Sequence, residues 1–243
     1  MTWDQMQELL WPATWETLQM VGVSSVATVL LGLPLGVLLV LTDKGGLLHH
    51  PAVNRVLGAA VNIGRSLPFI ILMVALQGFT KSIAGTTIGW QAATVPLTIG
   101  AIPFFARLVE TAVREVDGGL VEAVQSMGGS TATIVRKTLL PESLPALVAS
   151  VTTTVITLIG YSAMAGVVGG GGLGDLAVRY GYLRFETGFM WVIIAELIVI
   201  VTAIQLLGDF TARRLGHRGT TGRRFRPEAV DLPGEEKAAE PVR

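Results

Sequence analysis

The stretch Glu122-Ala123-Val124-Gln125-Ser126-Met127-Gly128, followed by Leu140-Pro141 after a basic Ile134-Val135-Arg136-Lys137 run, is a polar segment enclosed between strongly apolar ones. Such a segment joins two membrane helices and lies outside the bilayer, because every backbone polar group within hydrocarbon must be satisfied inside a helix or a closed barrel. The rest of the chain agrees. Hydrophobic residues make up 51% of the sequence and charged ones 15%, and the apolar residues fall in long runs rather than in the short stripes of a soluble core. The reading is an all-α integral membrane protein.

Five spans follow, each near the roughly 20 residues a helix needs to cross about 30 Å of hydrocarbon. They are placed at Thr17 to Leu41, Val56 to Phe79, Ala92 to Val109, Leu144 to Val168 and Phe189 to Phe210. An odd number puts the termini on opposite sides. Positively charged loops are retained on the cytoplasmic side. Lys81, Arg179 and Arg184 occupy one set of connections. The other set holds Lys44, Arg55, Arg107, Arg114, Arg136, Lys137 and the eight basic residues from Arg213 to Arg243. The N-terminus is therefore expected outside, the C-terminus inside, and the Glu122 loop in the cytoplasm. Met1-Thr2-Trp3-Asp4 supplies no basic residue before the first apolar run, so the first span is expected to be retained rather than cleaved as a signal. Residues 1–215 read as one membrane domain. From Gly216 to Arg243 almost no apolar run remains, which predicts a disordered cytoplasmic tail whose arginines favour anionic membrane lipid over nucleic acid.

Several chemistries are excluded. Without cysteine there is no disulfide and no thiolate site, and His49, His50 and His217 are too scattered to predict a metal centre. No G-x-x-x-x-G-K-[ST] loop is present, so energy from ATP must come from a partner. The run Gly169 to Gly174 formally contains G-x-G-x-x-G, but it follows a membrane helix rather than a strand and reads as a tight turn at the outer mouth.

The polar loop parses into local structure. Asp117 is an N-cap, residues 118–127 a short helix, and Gly128-Gly129 a stop that lets the chain reverse at positive φ. Ser130 then caps a second helix, expected to end before Pro141. The result is a compact corner with Glu122 and Ala123 exposed. In span four, Ser150, Thr154, Thr157, Tyr161 and Met164 recur at intervals of three or four and share one helical face. That face is a candidate lining for a translocation path, with Met164 as an apolar plug; bonding of these hydroxyls to their own backbone is the competing reading. Pro68, Pro96 and Pro103 free backbone carbonyls within spans two and three and are hinge candidates. Arg65, about ten residues into span two, and Glu196, near the middle of span five, are the charges placed deep within spans.

The spacing E-A-x-x-x-x-G followed by x11-L-P resembles the cytoplasmic signature of ABC importer permeases, departing at Val124, where the family usually has Ala, and at Thr138, where it usually has Ile. Arg65-Ser66-Leu67-Pro68-Phe69-Ile70-Ile71, Pro96-Leu97-Thr98-Ile99-Gly100, Pro103-Phe104, Leu139-Leu140-Pro141-Glu142 and Gly160-Tyr161-Ser162-Ala163-Met164 narrow the resemblance to the methionine-import permeases, over roughly residues 14 to 212. That resemblance implies a multi-pass protein of the bacterial cytoplasmic membrane, present as a homodimer. It also implies two copies of an ATPase that holds ATP and Mg, and an extracytoplasmic methionine-binding protein. This chain would bind no cofactor. Glu122, Ala123, Gly128, Leu140 and Pro141 would form the coupling element that seats on the ATPase. Two other readings share these residues: a permease of the same superfamily for another amino acid or small solute, and an autonomous carrier coupled to ions through Glu196 and Arg65.

Overall fold

The computed structural model describes residues 3–216. Ten α-helices occupy them: α1 (Trp3–Thr42), α2 (Pro51–Ser66), α3 (Phe69–Ala75), α4 (Gln77–Ala84), α5 (Trp90–Arg114), α6 (Gly118–Ser126), α7 (Thr131–Ile134), α8 (Leu140–Val167), α9 (Gly172–Leu176) and α10 (Thr187–Gly216). π-helical turns at Val135–Leu139 and Ala177–Tyr182 adjoin α7 and α9. Among the described residues there is no strand. Beyond Gly216, which ends α10, the expected tail lies outside the described residues.

Four continuous helical runs are long and apolar enough to cross a membrane: Trp3–Thr42, Trp90–Arg114, Thr131–Val167 and Thr187–Gly216. The remaining expected span, Val56 to Phe79, is not a straight helix. Between Ser66 and Phe69 the chain bends by 102°. The cause is local: Pro68 supplies no N–H and forces Leu67 out of the helical region, to φ −82° and ψ 126°. The bend therefore stands at one of the expected hinge residues. Pro96 and Pro103 differ, because both lie inside the unbroken α5.

The centre of the molecule is the crossing of α1 and α5. The buried residues of α1 include Ala13, Thr17, Met20, Ser24, Thr28, Gly32 and Gly36, one every three or four positions, and most are small. Gly32 and Gly36 let the backbones approach closely. A Cβ on Gly36 would fall 2.6 Å from the Ala106 carbonyl oxygen, and one on Gly32 would fall 2.9 Å from the Phe105 ring. This is the packing that small residues four apart allow between membrane helices, where apolar burial alone does not favour association. Around the crossing, Met20, Leu97, Ala101 and Leu158 form one packed layer, and Val37, Phe105, Val109, Ile134, Leu139 and Leu147 another. In contrast, α10 buries only Phe189 and Ile193, as suits a helix turned toward lipid.

A second departure from expectation concerns Pro141. The helix after Ser130 does not end before it; α7, the π-helical turn and α8 form one helical run from Thr131 to Val167. In that turn the Leu140 N–H bonds to the Val135 carbonyl, five residues back. Pro141 stands in the first turn of α8, where a missing N–H is tolerated.

Candidate functional site

The polar corner is built by local chemistry. The Asp117 carboxylate accepts the Gly119 N–H at 2.8 Å and starts α6. Two bonds finish it: Gly129 N–H to the Val124 carbonyl and Gly128 N–H to the Gln125 carbonyl, each 2.9 Å. This is a Schellman ending, and it needs the left-handed φ of 79° that Gly128 adopts. Ser130 accepts the Thr133 N–H at 3.3 Å and starts α7. No residue of α6 is buried, so Glu122 and Ala123 stand exposed, and Met127 at the corner is 78% exposed. Pro141 is exposed as well, while Leu140 is half-buried against the layer around Ile134 and Leu139. Of the signature, Glu122, Ala123 and Gly128 thus lie on the corner, while Leu140 and Pro141 open α8, one π-helical turn beyond α7.

Behind that corner lies a cleft of about 460 Å³, lined by Asp43, Lys44, Arg114, Glu122, Gln125 and Leu139 among others. Two of its lining residues, Asp43 and Arg114, belong to an ionic ladder. Arg114 donates to Asp43 at 2.6 Å and to Glu110 at 2.8 Å. Arg107 donates to the other Glu110 oxygen at 2.7 Å and to Asn62 of α2 at 2.6 Å. Glu110 is 6% exposed, and its two arginines satisfy both oxygens. Asp43, outside the helices, is held below its ordinary carboxyl range, first by the Arg114 guanidinium and then by the Lys44 backbone N–H. These residues join the α1–α2 connection, α2 and the end of α5. The i,i+3 and i,i+4 spacing of Arg107, Glu110 and Arg114 on α5 is a local pairing signal, whereas the reach to Asp43 and Asn62 is set by the fold.

At the far end of the molecule the glycine run forms a turn, as expected. Gly169, Gly171 and Gly172 all have positive φ, and Gly89 N–H bonds to the Gly169 carbonyl. The backbone N–H groups of Gly172 and Leu173 donate to Glu16 Oε2 (2.8 Å) and Thr17 Oγ1 (2.9 Å) of α1. Thus α1 side chains hold the turn that follows α8.

The hydroxyl row of α8 divides. Ser150 and Thr154 are buried and donate to the carbonyls four residues back; Thr157 does the same while half-buried. Tyr161 stacks on Phe69 of α3, ring centroids 4.5 Å apart and planes parallel. Met164 is 47% exposed. The backbone bonding set against pore lining thus holds for the first three, while Tyr161 and Met164 stand nearer open space. Glu196 is not isolated: its Oε1 lies 2.5 Å from Thr14 Oγ1, which also lies 2.8 Å from the Leu10 carbonyl. Among the described residues no group of three or more His, Asp or Glu could hold a metal ion.

Comparison with known proteins gives this geometry a context. Residues 11–217 match the family described as binding-protein-dependent transport system inner membrane component. The probable D-methionine transport system permease protein MetI of Vibrio cholerae is 57% identical over 211 residues, covering 87% of this chain and 94% of the relative. The methionine import system permease protein MetP of Bacillus subtilis is 48% identical over 209 residues, covering 86% and 94%. A chain of the MetNI methionine ABC transporter, solved in an inward-facing conformation, superposes with a TM-score of 0.86 at 48% identity, covering 88% of this chain and 99% of that one. An amino acid ABC transporter solved with histidines, at 17% identity and a TM-score of 0.72, shares the fold alone. The chain belongs to the family of binding-protein-dependent transport system inner membrane components.

Proposed function

We infer that this chain is the membrane-spanning permease subunit of an ATP-driven methionine importer in the bacterial cytoplasmic membrane. The observation that carries the reading is the exposed α6–α7 corner bearing Glu122, Ala123 and Gly128, in a chain 57% identical to a methionine permease over 87% of its length. A polar corner of this shape, attached to a spanning helix, suits a groove on a soluble partner. The partner is an ABC ATPase, two copies of which hold ATP and Mg and serve a homodimer of this chain; an extracytoplasmic methionine-binding protein delivers cargo. This chain binds no cofactor of its own.

Orientation rests on the distribution of basic residues, with the N-terminus outside and α6 in the cytoplasm. ATP binding closes the ATPase pair and draws the two α6 corners together, and the spans open outward to receive methionine. Hydrolysis resets them inward, an alternation between two packings. The wall of the path includes Tyr161 and Met164, and the Pro68 bend is where α2 and α3 change their mutual angle. Residues 1–215 form the permease domain, with the remainder a cytoplasmic tail.

The test is uptake of labelled L-methionine into vesicles holding this chain with its ATPase and binding protein, with unlabelled amino acids as competitors. Uptake that needs ATP and is blocked by methionine alone is the expected result. ATP-dependent uptake blocked only by another solute keeps the permease and discards methionine; uptake without the ATPase discards the whole reading.

A further inference from the structure

Beside the Pro68 bend lies a cavity of about 110 Å³, lined by Gly64, Arg65, Phe69, Gly100, Phe104 and Tyr161 among others. Its depth follows from α5: Gly100 is ten residues from Trp90 and fourteen from Arg114, or about 15 Å and about 21 Å along the helix axis. The cavity is thus near the middle of the membrane-crossing length. Phe69 and Leu72 reach across to Gly100, where a Cβ would meet their rings and methyls at 3.4 and 3.3 Å.

Arg65 is the one cation on that wall, and among the described residues it has no ion-pair or hydrogen-bond partner. Arg107 and Arg114, by contrast, are saturated by Glu110, Asp43 and Asn62. A guanidinium at that depth is costly without an anion and marks a path or a ligand site. The opposite wall is aromatic, the Phe69–Tyr161 stack with its phenol oxygen. One fixed fork of N–H donors beside an apolar, aromatic wall is complementary to a molecule with a carboxylate at one end and an apolar or thioether tail at the other.

We propose that Arg65 holds the carboxylate of the transported amino acid midway through the membrane, with Phe69 and Tyr161 as the wall for its tail. The cavity has room for a few waters, each about 30 Å³ in the liquid, which is enough for a carboxylate and its α-carbon; the side chain extends past Leu67. Arg65 is then a specificity residue of the permease itself, separate from any selection made before cargo arrives. This proposal rests on the methionine-permease reading above.

The test is equilibrium dialysis of labelled L-methionine against the purified permease–ATPase complex with no binding protein present. The unmodified complex is expected to bind saturably, and 3-(methylthio)propanoate, which keeps the carboxylate, should compete while 3-(methylthio)propylamine, which lacks it, should not. R65Q is expected to lose binding at least about tenfold and R65K to recover part of it, in complexes that still co-purify with the ATPase; that loss corresponds to about 1.4 kcal/mol. Equal competition by both analogues, unchanged binding in R65Q, or no saturable binding by the unmodified complex each overturns the proposal. The comparison of analogues needs no variant and so survives a failure of R65Q to assemble. Vesicle uptake separates the two claims. Methionine uptake by the unmodified system without this binding discards the Arg65 subsite alone, whereas absence of methionine uptake by the unmodified system discards methionine as the cargo.

Discussion

The Arg114 guanidinium reaches Asp43, 71 residues earlier in the chain, at 2.6 Å, while its other contacts hold buried Glu110. The two halves of this contact should differ in weight. Asp43→Asn removes a largely solvated pair and is expected to cost under about 1 kcal/mol. Arg114→Ala leaves one Glu110 oxygen without its donor and should cost about 1–3 kcal/mol. Thermal unfolding of the detergent-solubilised protein reads both.

The same pair sets a pH dependence. The Asp43 carboxyl is held below its ordinary value of 3.8 in the folded chain, so it binds protons less readily there than when unfolded. Its contribution is therefore full above about pH 4 and is lost as pH falls through the lower folded value. The stability difference between the native chain and Asp43→Asn should be flat from neutral pH to about pH 5 and narrow only below about pH 4.

At the corner, Glu122→Lys reverses an exposed charge, and Gly128→Pro forbids the left-handed φ of 79°. Each should abolish ATP-dependent uptake, with the protein still present in the membrane. Normal uptake by the stably expressed double variant would sink the docking assignment.

Gly208 of α10 stands against Thr152 of α8, where an added Cβ would lie 2.2 Å from the Thr152 hydroxyl oxygen. Gly208→Ala should force the two helices apart and cost about 1–3 kcal/mol. Thr152→Ala in the same chain removes the two nearest atoms but keeps the Thr152 Cβ at 2.8 Å, so it should return part of the cost, and a double-mutant cycle by thermal unfolding measures the coupling.

Glu196→Gln keeps a hydrogen-bonding group 2.5 Å from Thr14 without an ionisable side chain. Uptake comparable to the native chain, and indifferent to an imposed proton gradient, is expected. A carrier driven through Glu196 would lose transport altogether.

Much of this arrangement is readable from the sequence because its causes are local. Asp117 and Ser130 cap the helices they precede, Gly128 and Gly129 end α6, and the long apolar runs become α1, α5, α8 and α10. Other features depend on what the fold brings together. The bond from Glu16 to Gly172 spans 156 residues, and the ladder gathers residues 43, 62, 107, 110 and 114 from three elements. The spacing of Arg107, Glu110 and Arg114 on α5 is a readable pairing pattern, but no pattern of neighbours encodes the reach to Asp43, Asn62 or Gly172. One signal was available and went unread: Gly32 and Gly36, four apart in the first span, mark the tight face of α1. The hydroxyl row is ambiguous in the sequence for a physical reason, since a Ser or Thr in a membrane helix finds its nearest acceptor one turn back on its own backbone whether or not it lines a path.

The helical run from Thr131 to Val167 passes Pro141 without a break. Its 37 residues make a beam about 55 Å long, at a rise of 1.5 Å each. Moved as one body, such a run carries its far end sideways by about 5 Å for a tilt of about 5°. Under the docking assignment proposed above, a tilt imparted at the short α6–α7 corner reaches Met164 as a displacement on the scale of a helix radius or more, a gain in stroke obtained from length alone.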